Sequence, residues 1–211
     1  DRVIGRMIER EIEKGLIRPE DFEKDGLQEW LEAAALDYLE GGLKGISRRS
    51  LEELGEVVLR EELTEEERKG AITGLVRCPL FEPGLGPGTV KFKHEVIAEY
   101  LAGMYLSRRI DKDLGEVARR IGERTDLADS MIGRCIAARL ANRVGGVARL
   151  REVLSKMGAL PGRQFGSLLQ ILLLATPDRS VLKDLSLEGN DLSYVRFDGR
   201  DLSGVSFRNC D

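Results

Sequence analysis

The chain is poor in the residues from which most catalytic and metal sites are built. It has one histidine, three cysteines and one tryptophan among 211 residues, and aromatics make up only 5%. A lone His94 excludes most histidine-based metal sites. Cys78, Cys135 and Cys210 are odd in number, far apart and outside any C-x-x-C or Cys/His cluster. A zinc site or a disulfide framework is therefore not expected, and a reducing cytoplasm is the default setting. Long apolar runs are missing too. The longest candidate, 168–175, is interrupted by Gln170 and falls well short of the roughly 20 residues that span a bilayer, so no membrane partner and no targeting segment are expected. There is no G-x-S-x-G elbow, and any Ser or Cys nucleophile would have to share the single histidine, which argues against an independent hydrolase.

What is present is 42% hydrophobic and 33% charged, the composition of a folded, mostly helical protein. At this length about 70% of the unfolded surface can be buried, enough for a core without staples. The sequence starts without Met inside an amphipathic repeat and stops within a second periodic pattern, so it is expected to be part of a longer chain. Charge is uneven: residues 1–75 carry 12 basic and 20 acidic side chains, residues 101–170 carry 13 and 7. Such asymmetry marks either a nucleic-acid face or a surface that meets another domain. The arginines at 119, 120, 124, 134, 139, 143, 149, 151 and 163 have no interleaved aromatics for stacking on single strands, which favours the second.

Apolar periodicity predicts helices over 2–14, 27–40, 51–61 and 65–76. Gly41-Gly42 stops the second, and two capping boxes, Ser50 with Glu53 and Thr64 with Glu67, start the third and fourth. The pattern then changes. Val76 to Phe81 and Thr89 to Lys93 read as short strands flanking the hairpin tip E-P-G-L-G-P-G. Helices followed by a hairpin make a winged-helix arrangement, a fold associated with DNA. Here, however, the helix in the reading position begins Thr64-Glu65-Glu66-Glu67. Three carboxylates repel phosphate where a groove reader needs Arg, Lys, Asn or Gln. Helices follow at 95–110, 113–124, 127–143, 147–157 and 164–175. The last is apolar nearly all round and is expected to be buried.

From Leu182 the grammar changes again. Leu182, Leu187, Leu192, Phe197, Leu202 and Phe207 recur every five residues, a period of neither helix nor strand, which implies a solenoid with a repeated corner. With D-L-S at 184–186, 191–193 and 201–203, residues 180–211 resemble the pentapeptide-repeat family. That resemblance implies a right-handed, four-sided β-helix whose central Leu or Phe packs inside. This segment would supply about one and a half turns of it. Val195, Val205 and Cys210 suit the second inward position. Leu185, Asn190 and Arg200 fit it less well, which implies an irregular first turn lying against the helices.

Residues 90–110, VKFKHEVIAEYLAGMYLSRRI, resemble the winged-helix region of STAND-class, NACHT-like NTPases, in which an F-x-H segment leaves the wing and enters a helix reading E-[YF]-L-A-A-x-x-L. The matching residues are Phe92, His94, Glu99, Tyr100, Leu101, Ala102 and Leu106, with Gly103 in place of the usual second Ala. Upstream, R-x-x-x-R-E-I-E at 6–13, the helix at 27–39 and G-L-V-R-C-P-L-F stand where the family expects them. The resemblance implies a helical-lid remnant at 1–26, a winged-helix domain at 27–110, a helical stack at 111–179 and a pentapeptide-repeat segment at 180–211, in a mainly α chain. It also implies a non-catalytic regulatory part, closing over ADP or ATP with Mg²⁺ held by an upstream P-loop domain. No G-x-x-x-x-G-K-[ST] occurs in these residues, so the phosphate cradle is not among them. By the residue match, His94 would touch the β-phosphate of ADP. The alternative is a helix-start residue bonded to local backbone. Glu95 and Glu99, one turn apart, read as a solvated or packing pair rather than as an acid pair for catalysis.

The family further implies a protein ligand at the repeats, a parent that forms homo-oligomers when activated, and signalling roles that include antiphage defence. Nucleic acid is not an expected partner. The competing reading is a free-standing helical adaptor or nucleic-acid-binding module that uses the basic stretch 101–170.

Overall fold

A computed structural model describes residues 6, 9–10, 12–14, 17–23, 25–42, 44–158 and 160–211. The expected helix over 2–14 falls largely outside the described residues. The chain divides into two compact units, Asp1–Tyr105 and Leu106–Asp211. The described residues are mainly helical, with one small antiparallel sheet, and none of their helices is long and apolar enough to cross a membrane.

In the first unit, α1 (Gly26–Glu40) and α2 (Arg48–Val58) pack on a three-stranded sheet of β1 (Ile46–Ser47), β2 (Phe81–Pro83) and β3 (Thr89–Phe92), ordered β1-β3-β2, and α3 (Glu65–Val76) packs on α2. The two-residue β1, which pairs Ile46 with Val90, was not expected. It also moves a cap. Ser47, the last residue of β1, accepts the backbone N–H of Ser50, so α2 starts three residues earlier than the Ser50 box predicts. The Thr64 box forms as expected, with Glu67 N–H donating to Thr64 Oγ1 and Thr64 N–H donating to Glu67. The strand expected at 76–81 begins only at Phe81. Ala71, Ile72 and Leu75 form a buried stripe that carries α3 through Val76.

The core of this unit is a chain of rings. Trp30 meets Phe81 edge-on at 5.7 Å, Phe81 lies 4.6 Å from Phe92, and Phe92 lies 5.6 Å from Tyr38. Trp30 Nε1 donates to Leu51 O at 2.9 Å, satisfying the one polar atom this ring buries. Gly55 permits the crossing of α2 over α3. A Cβ there would lie 3.3 Å from Ile72 and 3.7 Å from the Trp30 indole nitrogen.

The helix α4 (Glu95–Arg109) runs across the division between the units. In the second unit, α5 (Leu114–Ile121), α6 (Met131–Asn142) and α7 (Gly146–Lys156) pack around α8 (Gln164–Ala175). Sequence reading placed α5 and α6 longer, at 113–124 and 127–143. The Asp113 and Ser130 side chains cap them instead, accepting from the N–H groups of Glu116 and Gly133. As its composition demands, α8 is buried along nearly its whole length, Phe165, Leu168, Leu169, Ile171 and Leu172 being fully so.

Residues 176–211 coil without regular helix or strand. Their left-handed residues are Asp184, Gly189, Tyr194, Gly199, Gly204 and Asn209, one every five positions, each two places after a central Leu or Phe. Reverse turns close there, with Leu185, Val195, Arg200 and Val205 donating N–H to the carbonyls of Leu182, Leu192, Phe197 and Leu202. Glycine and asparagine are the usual occupants of such corners, and Tyr194, with φ of 68°, is the bulky exception.

Candidate functional site

The F-x-H segment is built from the wing outwards. In β3, Phe92 pairs with Phe81 across the sheet and is 2% exposed. Lys93 N–H then donates to Leu80 O at 3.0 Å, which ends the strand. His94 follows at the cap position of α4, its carbonyl accepting from Ile97 and Ala98, while its side chain is exposed. The anchored Phe92 thus fixes where the imidazole emerges. The first N–H groups of a helix favour an anion at this end, but Glu95 in the first turn opposes one. The same Glu95 adds to the burial that raises the pKa of the Tyr38 phenol.

Of the other motif residues, Leu101, Ala102 and Leu106 are buried, whereas Glu99 and Tyr100 are half-buried. Glu95 is exposed, so the two acids of that helix stand in different surroundings.

In the coil, Leu182, Leu187 and Leu192 are buried, Phe197 is half-buried, and Leu202 and Phe207 are 39% and 40% exposed. Burial of these six residues thus falls along the coil towards its end. The edge of Phe207 faces Phe197 at 5.9 Å. Successive turns are joined by backbone bonds about twenty residues apart. Leu187 donates to Ser206, Gly189 to Arg208 and Leu192 to Asp211, and Ser186 and Ser206 make a parallel bridge.

The D-L-S triplets divide into two kinds. Asp191 and Asp201 each accept the N–H of the Ser two residues on, at 2.9 Å, clamping the corner over its central Leu, and the serine side-chain hydrogen bonds are the main cause that lowers both carboxyl pKa values. Asp184 is out of that register. It occupies a left-handed corner, and its triplet makes no such clamp.

The residues that fitted the repeat poorly hold the coil to the helices. Asn190 is buried, receives Leu160 N–H at its Oδ1, and donates to the carbonyls of Leu187 and Glu188. Arg200 turns back to the carbonyl of Leu173 in the last turn of α8 and to those of Thr176 and Asp178 beyond its end. Leu185, at 1% exposure, is core. Sequence reasoning missed three further ties. Gln170 accepts Arg196 N–H at 2.7 Å, the Arg196 guanidinium pairs with Asp129, and Arg151 donates to the carbonyls of Val181 and Lys183. Arg196, standing directly before the central Phe197 where the repeat pattern implies Asp or Asn, was the available signal for the pair with Asp129.

The basic stretch 101–170 is heavily committed within the unit. Arg143 pairs with Asp111, Arg120 with Glu116, Arg124 with Asp126 and Lys156 with Glu152, while Arg163 stacks over Tyr194 at 5.4 Å. Exposed Arg119, Arg134 and Arg139 have no ion pair among the described residues.

No family model matches the chain, and no curated protein or solved structure matches it either.

Proposed function

We propose that these residues are the regulatory, non-catalytic part of a signal-transducing NTPase of the STAND class, working in the cytoplasm. Residues 27–110 form its winged helix, and 180–211 begin a right-handed pentapeptide-repeat β-helix. ADP or ATP with Mg²⁺ is held by a P-loop domain upstream. The winged helix closes over it, and a protein ligand at the repeats shifts the population towards an oligomerising state. Antiphage defence is the biological setting this class offers.

The observation that carries the reading is the placement of His94. Phe92 is locked among Phe81 and Tyr38, and two residues later the imidazole stands exposed at the start of α4. A wing anchored so firmly presents that donor to an outside group at a fixed position. The acidic first turn of α3, Glu65-Glu66-Glu67, supports a protein-facing wing over a DNA-reading one. The backbone ladder between coil turns and the Asp191 and Asp201 clamps support the β-helix.

The test is the dissociation rate of ADP from the gene product that joins these residues to their P-loop domain. His94→Ala is expected to release ADP at least tenfold faster while ATP release changes little. Equal ADP release by wild type and variant overturns the role of His94. The nucleic-acid module remains the competing reading, carried by Arg119, Arg134 and Arg139, which make no ion pair among the described residues. It predicts binding of oligonucleotides that weakens steeply as salt rises, and it gives no dependence on ADP.

A further inference from the structure

The second unit holds a hollow that neither the nucleotide nor the repeat reading uses. It has a volume of about 210 Å³ and lies among the end of α4, the start of α5, the end of α6 and the first turns of α7. Its floor is apolar. Ile110, Leu140 and Leu150 are buried there, and Leu114 and Val153 form half-exposed walls. Gly146 lets α7 approach: a Cβ would stand 2.5 Å from Leu140 O, so no side chain can fill this corner.

The rim carries three charged residues, Asp111, Lys112 and Arg149. They are not equivalent. Asp111 is already neutralised by Arg143. Lys112 and Arg149 are exposed and have no ion pair among the described residues. The neighbouring acids are engaged elsewhere: Glu152, which feels Arg149, is bonded to Lys156, and Asp113 caps α5. What remains is a hollow with apolar side chains at its base and, at its polar rim, two cations that make no ion pair among the described residues.

Size and charge together select a ligand class. A dry apolar cavity of about 150 Å³ takes one benzene ring, so this hollow accommodates a single ring with one small substituent, and the rim demands that the substituent be anionic. We propose that the hollow formed by Ile110, Leu114, Leu140, Leu150 and Val153 binds a small aromatic carboxylate, its ring on the apolar floor and its carboxylate between Lys112 and Arg149. Such a site makes the helical unit a small-molecule sensor in its own right. The inference is independent of the nucleotide reading, and its test contains no nucleotide.

The probe is benzoate, titrated into the isotope-labelled 211-residue chain at constant ionic strength and followed by amide NMR, with benzamide as the neutral isostere and benzylamine as the cationic one. The expected result is saturable binding of millimolar order, with shifts centred on Lys112, Leu114, Arg149 and Val153. Benzoate should bind at least fivefold tighter than benzamide, and benzylamine should not bind. Exposed Lys112→Gln with Arg149→Gln should remove the preference for benzoate while leaving benzamide binding in place. Val153→Phe, which fills the hollow from its half-exposed wall, should abolish both. Spectra unchanged away from the hollow establish that each variant is folded, and if Val153→Phe is not, the two charge substitutions decide alone. No saturable binding, equal affinity for benzoate and benzamide, shifts centred elsewhere, or a preference that survives the charge substitutions overturns the proposal.

Discussion

Arg200 is the side chain on which the attachment of coil to helix can be measured. Its guanidinium donates to Asp178 O at 2.7 Å, to Thr176 O at 2.9 Å and to Leu173 O. Leu173 lies in the last turn of α8, where carbonyls have no partner within the helix. A net hydrogen bond contributes about 0.5–1.5 kcal/mol, more when one partner is charged. Arg200 is half-exposed and water can replace part of what is lost, so three such bonds together come to about 2–3 kcal/mol. In a unit of about a hundred residues, 1 kcal/mol corresponds to roughly 4–8 °C in melting temperature. Arg200→Ala should therefore lower the melting of the second unit by about 10 °C or more, read by urea and thermal unfolding with far-ultraviolet circular dichroism. Arg200→Lys, whose single ammonium cannot serve three diverging carbonyls, should fall between the two. Trp30, the only tryptophan, lies in the first unit, and its native fluorescence should not change. An Arg200→Ala protein within about 0.5 kcal/mol of wild type would refute the view that this side chain ties the coil to α8.

Other perturbations have definite signs. Gly166→Ala would place a Cβ 2.6 Å from Asp191 O, so despite a gain of about 1 kcal/mol in helix propensity it should destabilise by roughly 1–3 kcal/mol through overpacking. Gly70→Ala, with nothing within 4 Å, should stabilise by up to about 1 kcal/mol, and equilibrium unfolding compares the pair. Removing the α3 cap with Thr64→Ala should cost about 1 kcal/mol by the same measurement. The carboxyls of Asp191 and Asp201 are held below their ordinary value, mainly by their bonds to Ser193 and Ser203. Their stabilisation is therefore complete above the ordinary aspartate pKa of 3.8 and is lost as pH falls through the depressed folded value. Asp201→Asn, which keeps an acceptor but does not titrate, should flatten the acid limb of a stability-against-pH curve.

How much was legible depended on whether one residue position carried one structural demand. The five-residue period of Leu and Phe was plain because the same residue type recurs at one corner position, buried at Leu182, Leu187 and Leu192. The matching period of left-handed corners was equally present at Asp184, Gly189, Gly199, Gly204 and Asn209, but Tyr194 interrupted it and hid the rule. The α2 cap could not be decided locally, since Ser47 and Ser50 both begin acceptable caps. The pairing of Ile46 with Val90 chose Ser47, and nothing in a two-residue strand announces that pairing. Helix α3 ends at Val76 as predicted, but the strand expected from Val76 starts only at Phe81, because the burial of Leu75 keeps those residues in the helical stripe although they also suit a strand. At the candidate site, the identity of His94 was visible from the F-x-H spacing, whereas its exposure followed from the ring cluster around Phe92. Arginine ties from Arg151, Arg196 and Arg200 to distant backbone or side-chain groups depend on tertiary placement; Arg196 and Arg200 left an odd residue in a repeat as a trace, and Arg151 in α7 left none.

The most direct test of the central claim is the nucleotide retained on purification. The gene product that carries these residues together with their P-loop domain is denatured, and the released nucleotide is identified for wild type and for His94→Ala. The account predicts stoichiometric ADP in wild type, with loss of ADP or replacement by ATP in the variant. Absence of nucleotide from both proteins, or the same ADP content in both, would contradict it.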